Sequence, residues 1–201
     1  MNKVIIRDKL KLGMSILFII LYIPHILCLL NKKIRNITKS DIDSLSCKFK
    51  FPMSFFMGFI FLLHNNRYYR NLFYYRIGPI ASLLIGWWRP GDKYFTISKT
   101  CDIGEGVIFA HPYSTIINAE KIGKNFSFLH LTTIGAIGKN RPIIGDNVTV
   151  GANVTIIGDI KVGNNVIIGA GSVVVKDLPD NCLAAGNPAK VIKYYDKTTT
   201  C

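Results

Sequence analysis

Acidic residues are the scarce class in this chain. Asp and Glu number 12 against 25 Lys and Arg in 201 residues, a formal net charge of +13. The shortage is local: residues 1–95 hold 4 acids and 15 bases, whereas residues 96–201 hold 8 and 10. The basic character therefore belongs to the front half. It favours a membrane surface, an anionic ligand or a nucleic acid as that half's partner. Cysteine is sparse and unpatterned. Cys28, Cys47, Cys101, Cys182 and Cys201 are odd in number and lack metal-type spacing, which reads as reduced thiols in a cytosolic setting.

Charge is missing altogether from residues 12–30, LGMSILFIILYIPHILCLL. The length approaches the ~20 residues that cross a bilayer. Pro24 and His25 weaken a simple span, and Lys9, Lys11, Lys32, Lys33 and Arg35 flank it on both sides, giving no orientation. No small-x-small cleavage site closes the run, which speaks against a secretory signal. Three readings stay open: a membrane-embedded or interfacial helix, a helix in a subunit interface, and a signal sequence.

Residues 31–50 are polar and read as a connector, with Thr38 or Ser40 able to cap a following turn. FPMSFFMGFIFLLH (51–64) is apolar but too short to span. RYYRNLFYYR (67–76) mixes rings with Arg67, Arg70 and Arg76. It suits lipid headgroups, stacking on single-stranded nucleic acid, or simple helix packing; the apolar neighbours, including PIASLLIGWW (79–88), favour headgroups over nucleic acid. Arg89-Pro90-Gly91 ends this region. His25 and His64 lie in apolar runs and are assigned no chemistry.

What the back half has is a rhythm. From Ile144 to Val173 the chain reads IGDNVT, VGANVT, IIGDIK, VGNNVI, IGAGSV. Aliphatic residues open each hexad at Ile144, Val150, Ile156, Val162 and Ile168, and Val148, Val154, Ile160, Val166 and Ser172 sit four places on. A period of six fits neither an amphipathic helix nor a hairpin meander. It fits a β-solenoid of short strands and tight corners, where Asn and Gly supply positive φ. Earlier inward positions are expected at Ile97, Ile103 and Phe109 and, after one inserted residue, at Ile116, Ile122, Phe128 and Ile134. About four residues are inserted before Ile144, so Lys139–Pro142 should form a corner loop, commonly the binding face of a solenoid. Helical, basic sequence thus fills residues 1–94, the solenoid 95–193, and a tail 194–201.

Three hexads make one turn of a triangular coil. His111 and His130 each follow an inward Phe by two, and they are nineteen apart, one coil plus the insertion. That count stacks them at one corner, ~4.8 Å apart between strands, with Ala152 and Ala170 at the equivalent corner of later coils.

AHPYSTIIN (110–118), IGKN (122–125), TTIGA (132–136) and residues 139–193, from KNRPIIGDNVTVG to AAGNPAKVIK, resemble the hexapeptide-repeat acyltransferases, in their serine acetyltransferase-like branch. The resemblance implies a left-handed parallel β-helix, a homotrimer, acetyl-CoA as donor and no metal. It makes His111 the general base, a role suited to an imidazole titrating near neutrality. It puts an oxyanion donor near Gly135–Ala136. It lays the pantetheine arm along Ala152, Gly169, Ala170 and Gly186, with Lys190 on a CoA phosphate. His130, Asn140 and Arg141 become acceptor-binding or supporting residues.

Two departures redirect the acceptor. Serine acetyltransferases carry Asp directly before the base and another fifteen residues earlier; here these are Ala110 and Thr96. Their loop reads Arg-His-Pro, where this chain has Asn140-Arg141-Pro142. Together with the basic front half, this resembles O-acetyltransferases of capsule and surface-polysaccharide synthesis. The expected reaction is acetyl transfer to a sugar hydroxyl on a nucleotide- or lipid-linked glycan, at the inner face of the cell membrane and without nucleic acid. Serine O-acetylation is the alternative within the fold. A membrane-bound scaffold and a nucleic-acid binder complete the readings; His111 and the closing GNPAK argue against the scaffold.

Overall fold

The computed structural model describes residues 3–46 and 53–195, and the side chains from residue 6 onward within them. Cys47, Cys201 and most of the expected tail lie outside the described residues. The chain divides into two compact units, Met1–Lys93 and Tyr94–Cys201.

The first unit is helical: α1 (Lys3–Leu17), a 3-10 turn (Ile19–Tyr22), α2 (Ile23–Cys28), α3 (Lys32–Ser46), α4 (Phe55–Asn65), α5 (Arg67–Ile77) and α6 (Pro79–Ile85). The uncharged run is not one rod, for the helices on either side of Phe18 are bent by 72°. Residues 32–46, expected as a connector, form a helix instead. Asn31 Oδ1 caps it by accepting from the amides of Lys33 and Ile34, and Thr38, Asp41, Ile42 and Leu45 make its buried stripe. That spacing carries only two aliphatic residues, so hydropathy alone hid it. Thr38 is therefore buried in mid-helix and caps nothing.

α4 is buried over Gly58–Leu63, and α5 packs Tyr69, Leu72 and Phe73 against it. The arginines of α5 are spent on the protein itself, which replaces the headgroup and nucleic-acid readings of residues 67–76 with packing. Arg70 donates to the carbonyls of Leu63 (2.7 Å) and Pro90 (2.9 Å). Arg76 forms a two-point buried ion pair with Asp41 at 3.0 and 3.2 Å. Arg67 pairs with Asp92 at 2.9 Å. His25 and His64 join the same polar interior. Tyr74 Oη donates to the Arg89 carbonyl, so His25 Nε2 donates to Tyr74 (3.2 Å), and Tyr22 Oη meets His64 Nδ1 at 3.1 Å. Burial, with a smaller push from the Arg70 charge, pulls His25 down to about 4, so it is neutral near pH 7.

The second unit is a parallel β-helix, the fold expected from the hexads. One face holds β1 (Phe95–Ile97), β4 (Thr115–Ile117), β7 (Thr133–Gly135), β10 (Thr155–Ile157) and β13 (Val173–Val174). The second holds β2 (Asp102–Ile103), β5 (Lys121–Ile122), β8 (Ile143–Ile144) and β11 (Lys161–Val162). The third holds β3 (Ile108–Phe109), β6 (Ser127–Phe128), β9 (Thr149–Val150), β12 (Ile167–Ile168) and β14 (Cys182–Gly186), closed by antiparallel β15 (Ala189–Tyr194). Both inward positions of the later hexads are buried, including Ile144, Val148, Val150 and Val154. The early coils are filled by Phe95, Phe109, Phe126 and Phe128, with ring centroids 5.3–6.0 Å apart.

The corner between the second and third faces is made by Asn125, Asn147, Asn165 and Asn181. All are left-handed, with φ between 55° and 57°, a conformation Asn tolerates better than most residues. Their side-chain amides form a ladder at 2.8–2.9 Å.

One inward assignment changes. Ile116 is 50% exposed and Ile117 1% exposed; Ile117 pairs with inward Ile134. Ile97, in register with Ile117, is half-buried on the first coil. The shift from Ile116 to Ile117 follows from where the extra residues enter.

Candidate active site

The corner between the third and first faces carries the histidines. On the later coils it follows one pattern: the amide of Gly171 donates to Ala152 (2.8 Å) and that of Asn153 to His130 (3.0 Å). One coil earlier the Leu131 amide donates to Tyr113, not His111, at 2.9 Å. Ser114, Leu131, Asn153 and Gly171 share positive φ at this step. Tyr113 is thus the backbone equivalent of His130, and His111 with Pro112 forms a two-residue bulge. The stacking expected for the two histidines is corrected accordingly: they share the edge but not the register. Phe109 and Phe128 pair nineteen residues apart, but Thr115 and Thr132 occupy equivalent positions only seventeen apart. Two residues enter at the corner and one is lost before Lys121, so the single net insertion concealed the bulge.

The bulge holds His111 in left-handed geometry, φ 50°, with its carbonyl accepting from the Tyr113 amide at 2.6 Å. Its side chain is exposed, as is that of His130. Beside it the rings of Tyr94 and Tyr113 lie 5.3 Å apart, each 48% exposed. Sequence reasoning passed over this pair; the missing signal was the seventeen-residue offset that turns Tyr113 onto the edge. Beneath, the inward hydroxyls are satisfied within the coil: Thr132 Oγ1 donates to Leu129 O at 3.0 Å, and Ser172 Oγ donates to Gly169 O.

Ala152, Gly169, Ala170 and Gly186 continue the histidine edge down the coil. Gly169 has a packing role of its own, since a Cβ there would stand 2.9 Å from Ala185 Cβ. Lys190 is exposed on β15, paired with Ala185 in the closing hairpin. Gly135, Ala136, Asn140 and Arg141 lie at the next edge, across the first face. A Cβ on Gly135 would meet Ile157 Cγ2 at an ordinary 3.6 Å, so packing does not require glycine there. The expected loop is a tight turn in which Ile137 and Asn140 exchange backbone hydrogen bonds. Asn140 Nδ2 reaches Asp159 at 3.1 Å and Arg141 Nη1 reaches Thr100 Oγ1 at 2.7 Å. One chain therefore gathers His111, His130 and the small-residue edge, and leaves the loop residues a strand-width away.

Residues 141–176 match the family described as bacterial transferase hexapeptide (six repeats). The soybean serine acetyltransferase apoenzyme superposes with a TM-score of 0.66 at 30% identity, covering 81% of this chain and 70% of that one. The chain belongs to the serine acetyltransferase family of hexapeptide transferases. Within this family it is 42% identical to serine acetyltransferase 4 of Arabidopsis thaliana over 106 residues, 50% of this chain and 30% of the relative. It is 43% identical over 101 residues to the protein named "Putative colanic acid biosynthesis acetyltransferase WcaB" of Escherichia coli, 48% of this chain and 62% of that one. The chain thus spans less than two thirds of these curated relatives.

Proposed function

We propose that this hexapeptide transferase moves acetyl from acetyl-CoA to a sugar hydroxyl in surface-polysaccharide synthesis, with His111 as general base. The observation that carries the reading is the bulge that lifts His111 off the coil at the head of an edge of small residues. His111 takes the acceptor's hydroxyl proton as that oxygen attacks the thioester carbonyl. The tetrahedral intermediate collapses, the C–S bond breaks, and the CoA sulfur leaves with the proton. Amides at Gly135–Ala136 face the oxyanion, and Ala152, Gly169, Ala170, Gly186 and Lys190 receive CoA. Because the loop residues lie at another edge, a homotrimer in which a neighbour's Gly135, Ala136, Asn140 and Arg141 complete each site fits the spacing.

The sugar acceptor is supported by chemistry at the edge. Ala110 and Thr96 offer no carboxylate to an ammonium group, and a buried ammonium without a partner is costly. The Tyr94–Tyr113 pair presents exposed aromatic surface beside His111. The relative named for colanic acid biosynthesis points the same way. Serine O-acetylation is the second reading, favoured by the serine acetyltransferase relatives. Incubating purified protein with labelled acetyl-CoA and, separately, sugar nucleotides, lipid-linked glycans and L-serine decides between them. Label in a glycan fraction is expected, and label only in O-acetylserine overturns the sugar reading. Light scattering tests the trimer: an active enzyme that is strictly monomeric removes the shared site.

A further inference from the structure

The helical unit has an apolar core of Phe59, Leu63, Leu72 and Phe73, and it also carries large apolar side chains on its surface. α1 buries Leu12 and Ser15, Ser15 Oγ accepting from Asn65 Nδ2 of α4 at 2.9 Å. Its exposed residues Ile6, Leu10, Met14 and Leu17 recur at helical spacing and form one apolar stripe. Past the 72° bend, Tyr22 and His25 are buried while Ile20, Leu21, Ile23 and Leu27 are exposed. α6 buries none of its residues; Leu83 is 79% exposed, and Ile80, Leu84 and Trp87 are also exposed. Apolar patches of this extent mark an interaction surface.

Charge identifies the occupant. Lys9, Lys11, Lys32, Lys33, Arg35 and Lys39 are exposed on the helices that carry or adjoin the apolar run, and residues 1–95 hold 15 bases against 4 acids. A second copy of so basic a face would repel its twin, whereas an anionic leaflet attracts it. No single described helix is long and apolar enough to cross a membrane, and the pair on either side of Phe18 reaches that length only with its 72° bend. We propose that α1, α2 and α6, with the exposed lysines of α1 and α3, dock this enzyme on an anionic phospholipid bilayer, apolar stripes entering the acyl boundary and lysines resting on lipid phosphates. Apolar insertion and basic attraction together anchor a chain where one alone does not. The inference goes beyond the acyl-transfer reading and does not depend on it.

The test is flotation of the full chain with phosphatidylcholine vesicles, with and without phosphatidylglycerol, at low and high salt. Flotation with the anionic vesicles is expected to weaken but persist at high salt, because salt screens charge and spares insertion. Two variants on exposed residues, Leu10→Glu/Leu17→Glu and Leu83→Glu/Leu84→Glu, should each lower the vesicle partition coefficient at least tenfold. The proposal is overturned if the wild-type chain stays with the soluble fraction throughout, or if both variants float as well as it does. Glutamates that instead dissolve an oligomer of a non-floating protein assign the face to contacts between copies.

Discussion

Tyr113, two residues beyond His111, sits in backbone register with His130 and leaves His111 on a bulge of its own. The two histidines consequently occupy different backbone positions: one sits on a bulge at the edge, the other belongs to the regular coil. His111→Ala should cut turnover by at least ~10²-fold, the low end for a lost general base. The fold should survive, since the side chain is exposed. His130→Ala should act mainly on the acceptor KM. Steady-state kinetics with an acceptor found in the panel check both, and near-normal turnover of the His111 variant would remove it from the mechanism.

Ala110 and Thr96 offer no carboxylate to an ammonium group, so L-serine should be a poor acceptor. Its kcat/KM is expected well below about 10⁴ M⁻¹s⁻¹, the lower bound of the ordinary enzyme range. A value above that restores serine as the substrate.

The asparagine ladder makes a stability prediction. Asn147 accepts from Asn125 and donates to Asn165 while holding φ at 56°. Asn147→Ala removes both bonds and puts a side chain without local hydrogen bonding into a left-handed conformation, for a cost of about 2–3 kcal/mol. Asn147→Gly loses the bonds but relieves the backbone, so it should be milder. Thermal unfolding of the two variants gives the order.

The helical unit should weaken in acid. His25 is held down to about 4 by burial and the nearby Arg70, against about 6.5 in the unfolded chain. The unfolded state therefore binds the proton first. The stabilisation is complete above pH 6.5 and is lost as pH falls toward 4, worth at most about 3 kcal/mol from this group. His64 is lowered too, by burial first and then by Arg89 and Arg70, so it adds in the same direction. Both tryptophans, Trp87 and Trp88, lie in this unit, so their fluorescence during denaturant titration at pH 7 and pH 5 measures it. Equal midpoints would refute the assignment.

Much of the second unit was legible because a hexad repeat fixes which side chains point inward on every coil. The motifs around His111 and the closing GNPAK carried the family for the same reason, as local strings with fixed offsets. The helical unit was harder to read. Its α3 buries Thr38 and Asp41 beside Ile42 and Leu45, a stripe that hydropathy does not see. Arg76 looked available for a phosphate until its ion pair with Asp41, thirty-five residues away, came into view.

The sequence by itself determined the coil, its period and the chemistry of the residues along its edges, because each depends on neighbours within one or two hexads. Tertiary structure decided where the extra residues enter. A two-residue gain at His111–Pro112 and a one-residue loss before Lys121 sum to the same spacing as one insertion, and only hydrogen bonds between coils distinguish them. It also decided which faces of the front helices turn outward. Inward Ser15 and outward Leu10 follow from partners far along the chain, such as Asn65, and no local pattern contains that information.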